Sequence, residues 1–172
     1  MLKSSIHWGK ISVKTERKWF FMEEKVNYRE LAAQLRSLTE GVPYETANLA
    51  NASALLFENL PEINWAGFYQ VMEDALVLGP FQGKPACIRI PMGRGVCGTA
   101  AKQDTPQVVY NVHQFPGHIA CDSASLSEIV IPSHSGNRLW GVLDIDSPRQ
   151  GRFTPEDLAG LKLFVEELEN IL

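Results

Sequence analysis

The sequence predicts a single α+β domain, a mainly antiparallel central sheet flanked by helices. Three observations predict it. Apolar residues recur at helical spacing in the early and the last part of the chain. Short β-patterned runs, several joined by turns of two or three residues, fill the middle. These runs do not alternate with helices in the repeating β-α-β pattern of a parallel sheet.

Tyr28, Leu31, Leu35 and Leu38 form the first helical stripe, which Gly41 and Pro43 stop. Residues 46–60 form a second, with Leu49, Ala52, Leu55, Leu56 and Leu60 on one side and Pro61 at its end. The aromatic-rich residues 63–72 and residues 75–78 read as strands of a hairpin turning at Glu73-Asp74. Residues 87–90 read as another short strand, 96–102 as a short helix after a glycine-rich turn, and 107–110 as a strand. Residues 111–127 are weakly periodic and rich in small and polar side chains, which predicts a long functional loop. Residues 128–133 and 138–145 read as core strands joined by Ser135-Gly136-Asn137. For the last helix, Thr154 is the expected N-cap and Pro155 the first helical residue. Glu156 and Asp157 suit the N-terminal dipole, and Leu158, Leu161, Val165, Leu168 and Leu172 line one face.

The chain has 172 residues, enough to bury a core without help from metal or disulfides. Its net charge of −4 argues against a nucleic-acid or anionic-membrane surface, and no apolar run approaches the length of a membrane span. Residues 1–21 carry five basic residues against one acidic, a net of +4, which leaves −8 on residues 22–172. The domain is therefore expected at 22–172, with 1–21 a basic extension outside it. Lys3, Lys10, Lys14, Arg17 and Lys18 leave no room for the apolar stretch of a signal peptide. With an odd count of three cysteines, the expectation is free thiols in a reducing, cytoplasmic compartment.

Those cysteines, Cys87, Cys97 and Cys121, are too far apart for the paired spacing of structural zinc sites. His118, three residues before Cys121, and His113 could complete a metal site, but no metal is expected. Buried cysteines acting as small hydrophobes are the plain alternative. Their contexts point elsewhere: Cys97 follows Gly93-Arg94-Gly95-Val96 at a helix start, where a thiol pKa is lowered. Cys121 lies in a polar loop, and Cys87 opens a strand after Lys84-Pro85-Ala86, so both are accessible to thiol exchange. Gly93-x-Gly95-x-x-Gly98 matches a dinucleotide fingerprint only weakly and reads as a turn.

Asp144 and Asp146 are two apart on a strand, so they share a face, and crowding can keep one of them protonated. Glu128 begins the other apolar strand. Trp65 and Tyr69 share a strand face with Gly67 between them, two aromatic walls roughly 13 Å apart along the strand that must lean inward to grip one small ligand. Thiols, a neutral carboxylic acid and an aromatic wall suit reduction of a sulfoxide. A thiolate attacks the sulfoxide sulfur and a protonated carboxyl donates to its oxygen. The cysteine becomes a sulfenic acid, which a second thiol converts to a disulfide.

The motifs Asn64-Trp65-Ala66-Gly67-Phe68-Tyr69, Leu78-Gly79-Pro80-Phe81-Gln82-Gly83, Gly93-Arg94-Gly95-Val96-Cys97-Gly98, His118-Ile119-Ala120-Cys121, Ser127-Glu128-Ile129-Val130 and Gly141-Val142-Leu143-Asp144-Ile145-Asp146-Ser147 occur in this order. Together they resemble the free methionine-(R)-sulfoxide reductases, which are GAF-domain enzymes, over about residues 28–171. The resemblance implies a GAF fold, reduction of free L-methionine (R)-S-oxide, no bound cofactor, thioredoxin as external reductant, and a homodimer. It also implies that Cys121 is the nucleophile, Cys87 its disulfide partner and Cys97 a further cysteine of open role. Glu128, Asp144 and Asp146 would surround the sulfoxide oxygen and the substrate amine, and Trp65 and Tyr69 the methyl group. A GAF sensory module binding a small effector and a thiol-based peroxide sensor are the alternatives.

Overall fold

The computed structural model describes residues 25–119 and 123–172. The expected extension at 1–21, the expected domain start at Met22 and the cysteine at position 121 lie outside the described residues. Six strands form one antiparallel sheet: β1 (Trp65–Met72), β2 (Ala75–Gly83), β3 (Arg89–Pro91), β4 (Gln107–Val109), β5 (Ser127–Ser135) and β6 (Arg138–Ser147). Their order is β3-β2-β1-β6-β5-β4. The helices are α1 (Tyr28–Thr39), α2 (Glu45–Asn59), α3 (Gly95–Gln103) and α4 (Pro155–Glu169). The α+β expectation holds.

The central strands are buried on both faces because each face has its own cover. Ala66, Phe68, Ile129, Ile131, Leu143 and Ile145 form one core with the apolar stripes of α1, α2 and α4. Trp65, Tyr69, Val130 and Val142 point the other way and pack against Val96, Cys97, Ala100 and Ala101 of α3. The long helices therefore stabilise the fold from one side, while the short helix and the loops frame the opposite face. Phe164 of α4 is fully buried in the first core. Phe164→Ala is expected to lose roughly 3–5 kcal/mol of unfolding free energy in urea; a loss near zero would show that α4 does not close this core.

Local signals account for several elements. Thr154 and Asp157 form a reciprocal capping box with Pro155 in the first turn of α4. Arg152 adds an ion pair to Asp157 at 3.1 Å, and the Tyr28 hydroxyl donates to the same carboxylate. At the β1–β2 hairpin Glu73 takes the left-handed backbone. Three expectations are corrected. β2 continues to Gly83, past the expected end at 78, through a register shift between Gly67 and Tyr69. β3 starts at Arg89, so Cys87 precedes it instead of opening it; the Cys87 carbonyl accepts from the Tyr69 hydroxyl. The loop at 111–127 holds one turn of 3-10 helix, Val112–Gln114, capped by the Asn111 side chain.

Candidate active site

The acids come from two adjacent strands. Glu128 on β5 lies opposite Asp146 on β6, and Asp144 opposite Val130, so all three carboxyls share the sheet face that α3 covers. Two glycines let α3 approach. Gly95 opens the helix at φ +61°, where a side chain would be strained, and a Cβ on Gly98 would sit 2.4 Å from the Pro91 carbonyl oxygen. Of the motif only Gly93 lies in the expected turn; Gly95 and Gly98 belong to α3 and make it a docking surface. It brings the Cys97 thiol to 3.7 Å from Glu128 Oε1, toward which it donates.

A cavity forms where these elements meet. It encloses about 30 Å³, room for one water molecule, within about 390 Å³ of empty space that opens to solvent. Tyr69, Cys97, Glu128, Asp144 and Asp146 line it, with Ile90, Val96, His118, Ile119 and Ser125. Five of the eight expected site residues therefore meet in one place. Cys121 lies outside the described residues, and Cys87 and Trp65 are not among the residues that line the cavity.

Burial dominates the electrostatics. Glu128 and Asp144 are 7% and 6% exposed. Loss of hydration pushes Glu128 well above the usual carboxylate range, and the neighbouring Asp144 and Asp146 push it further. Desolvation lifts Asp144 to about 6, against hydrogen bonds from Cys97 and Glu128 that lower it. Asp144 Oδ1 is buried without a protein partner, which leaves an acceptor for a ligand. Both shifts let these carboxyls keep their protons to higher pH than a solvated carboxylate would.

Cys97 reverses an expectation. It does sit in the first turn of α3, where the helix terminus would favour a thiolate. Burial, and then the charges of Asp144 and Glu128, instead raise its pKa well above that of a free thiol. The desolvation of a fully covered sulfur beside two acids outweighs a dipole felt mainly at an exposed terminus. Cys97 Sγ and carboxylate oxygens of Glu128 and Asp144 lie within 4.8 Å of one another, which is also the spacing of a cation site. A cation there would have to displace the protons that burial retains.

Cys87 is disulfide-bonded, whereas Cys97 is free. Trp65 and Tyr69 do not stand apart as two walls. Their rings stack with centroids 5.9 Å apart, Trp65 stacks in turn on Phe81 at 5.3 Å, and Tyr69 alone of the pair lines the cavity. The register shift beside Gly67 and the absence of a side chain there let the rings close up. The sequence marks His118 only as a candidate metal ligand and does not single out Ser125. His118 lines the cavity with Nε2 buried and unpartnered, its pKa lowered first by desolvation and then by His113. The density of polar residues in 111–127 was the available signal, but loop positions have no periodicity that reveals a facing.

Residues 30–172 match the model of the GAF domain family. The chain is 56% identical over 145 residues to a free methionine-R-sulfoxide reductase of Escherichia coli, covering 84% of this chain and 88% of that one. A free methionine-R-sulfoxide reductase of Saccharomyces cerevisiae is 43% identical, with 86% of each chain covered. The fold is similar to the structure of fRMsr of Staphylococcus aureus in complex with substrate, with a TM-score of 0.82, 49% identity, and 86% and 97% of the two chains covered.

Proposed function

The chain belongs to the free methionine-R-sulfoxide reductases of the GAF-domain family, and from that premise we propose that it reduces free L-methionine (R)-S-oxide to L-methionine with its own thiols. The observation that carries this reading is the trio Cys97, Glu128 and Asp144, buried against one cavity with both carboxyls raised above the usual carboxylate range. A sensory module has no use for a pair of buried carboxyls facing its cavity together with a disulfide-forming cysteine.

Cys121 attacks the sulfoxide sulfur. Glu128 or Asp144 protonates the oxygen, which passes to the cysteine, so methionine leaves and Cys121 becomes a sulfenic acid. The Cys87 thiol then displaces that oxygen as water and closes the Cys87–Cys121 disulfide. A dithiol of the thioredoxin class takes up the oxidation by reducing this bond to two thiols. The disulfide at Cys87 beside a free Cys97 supports this pairing. The unpartnered Asp144 Oδ1 is the carboxyl atom left to face the sulfoxide oxygen, and the Tyr69 ring walls the methyl–sulfur end. No cofactor has a role in these steps. We place residues 1–21 outside the domain and the enzyme in the cytoplasm as a homodimer; among the described residues no helix is long and apolar enough to cross a membrane.

Separated R and S sulfoxides, free and within a peptide, test the reading. Turnover of the free R form is expected, with the S form and the peptide essentially unreacted. Equal turnover of both epimers, or a preference for the peptide, would reject it. Oxidation by peroxide at the same rate as by sulfoxide would favour the peroxide sensor.

A further inference from the structure

We propose that the polar ends of Trp65 and Tyr69 are positioning groups for Cys87, holding residues 84–87 where the Cys87 sulfur can close the disulfide. The proposal rests on the reductase reading above and extends it to the step after sulfoxide reduction.

Residues 84–87 cross from β2 to β3 without helix or strand structure. Pro85 has no N–H to contribute. Two side chains of β1 grip the segment at its ends. Trp65 Nε1–H donates to the Lys84 carbonyl at 3.1 Å, and the Tyr69 hydroxyl donates to the Cys87 carbonyl at 3.0 Å. β1 lies inside the sheet, between β2 and β6, so both donors are rooted in its rigid centre.

The rings cannot swing away. Trp65 and Tyr69 are 3% and 1% exposed and stack on each other. Cβ atoms on Gly67 or Gly83 would each come within 2.7 Å of the Trp65 ring, so the indole occupies the space that two side chains would fill. The rings thus have two tasks: Tyr69 lines the cavity, while the polar tips of both rings moor the cysteine segment. Burial keeps the Tyr69 phenol protonated, and its one proton goes to the Cys87 carbonyl. It is therefore not the proton donor to the sulfoxide.

Disulfide closure joins a Cys121 sulfenic acid to the Cys87 thiol with loss of water. It needs the two Cβ atoms about 4 Å apart, and its rate depends on how often the segment holds that position. Tyr69→Phe keeps the ring and removes the hydroxyl, and Trp65→Phe keeps an aromatic stack and removes the indole N–H. In each full-length variant, closure is timed by rapid alkylation and mass measurement after a single pulse of methionine-(R)-sulfoxide. A parallel pulse of hydrogen peroxide makes the sulfenic acid without the sulfoxide.

Closure is expected to slow about tenfold in each variant, in line with loss of one buried hydrogen bond. A dimedone-trapped sulfenic acid should accumulate, and the KM for sulfoxide should shift far less than the closure rate. Closure at the wild-type rate in both variants would overturn the proposal. So would a raised KM with unslowed closure, which would mean that the rings serve the pocket alone. Wild-type protein that closes its disulfide after peroxide but yields no methionine from sulfoxide would sink the reductase reading and leave the mooring standing.

Discussion

Cys121→Ser is expected to bring turnover of free methionine-(R)-sulfoxide down to background, whether thioredoxin or dithiothreitol supplies electrons. A serine hydroxyl is no nucleophile toward sulfoxide sulfur and cannot carry the oxygen as a sulfenic acid. The remaining cysteines do not replace it. Cys97 is held as a thiol by burial and by Asp144 and Glu128, so its thiolate fraction at neutral pH is very small. Cys97→Ser should accordingly leave methionine formation in place, since the proposed oxygen transfer and disulfide do not pass through it. Single-turnover methionine release, measured for both variants, separates the roles. Full activity in Cys121→Ser, or complete loss in Cys97→Ser with Cys121 intact, would reverse the assignment.

Asp144→Asn is expected to slow turnover about 10²–10⁴-fold, the usual contribution of a positioned general acid. The amide fills the same space but carries no carboxyl proton. Glu128→Gln should act in the same direction. The pH profile carries the sign. Desolvation lifts Asp144 to about 6 and raises Glu128 well above the usual carboxylate range, so the acid form is present at low pH and is lost as pH rises through each folded pKa. The wild-type chemical step should therefore slow on the alkaline side of about 6, and that limb should flatten in the variants.

The same shifts affect stability. A carboxyl whose folded pKa lies above its unfolded value favours folding when protonated, and that advantage is lost as pH rises through the folded pKa. Asp144→Asn removes a charge that ionises in a dry site, so its Tm at pH 8 is expected to equal or exceed the wild-type value by about 5 °C. A rate loss together with a higher Tm marks a residue kept for chemistry. A Tm that falls at pH 8 with unchanged turnover would make Asp144 a structural residue.

Much of the fold follows from local patterns. The α4 cap at Thr154 and Pro155, the hairpin turns and the stripes of α1 and α2 are legible because helices and tight turns are encoded by residues a few positions apart. The shared face of Asp144 and Asp146 was legible for the same reason, since it needs only the two-residue repeat of a strand. β3 was misplaced by two residues because a short edge strand leaves few residues to set its register, and the Tyr69 hydroxyl holds the Cys87 carbonyl from 18 positions away.

The α+β class, the order of elements and the identities of the thiols, acids and aromatics available for chemistry thus follow from residue pattern alone. Tertiary structure decided what those groups are. The pairing of Glu128 with Asp146 depends on the β5–β6 register, and the covering of Cys97 on glycines that let α3 reach the sheet. The stacking of Trp65 on Tyr69 depends on a register shift within β1 and β2. Each outcome turns on which distant segment excludes water from a given side chain. Desolvation, not residue type, raises the carboxyls of Glu128 and Asp144 and keeps the helix-start thiol of Cys97 protonated.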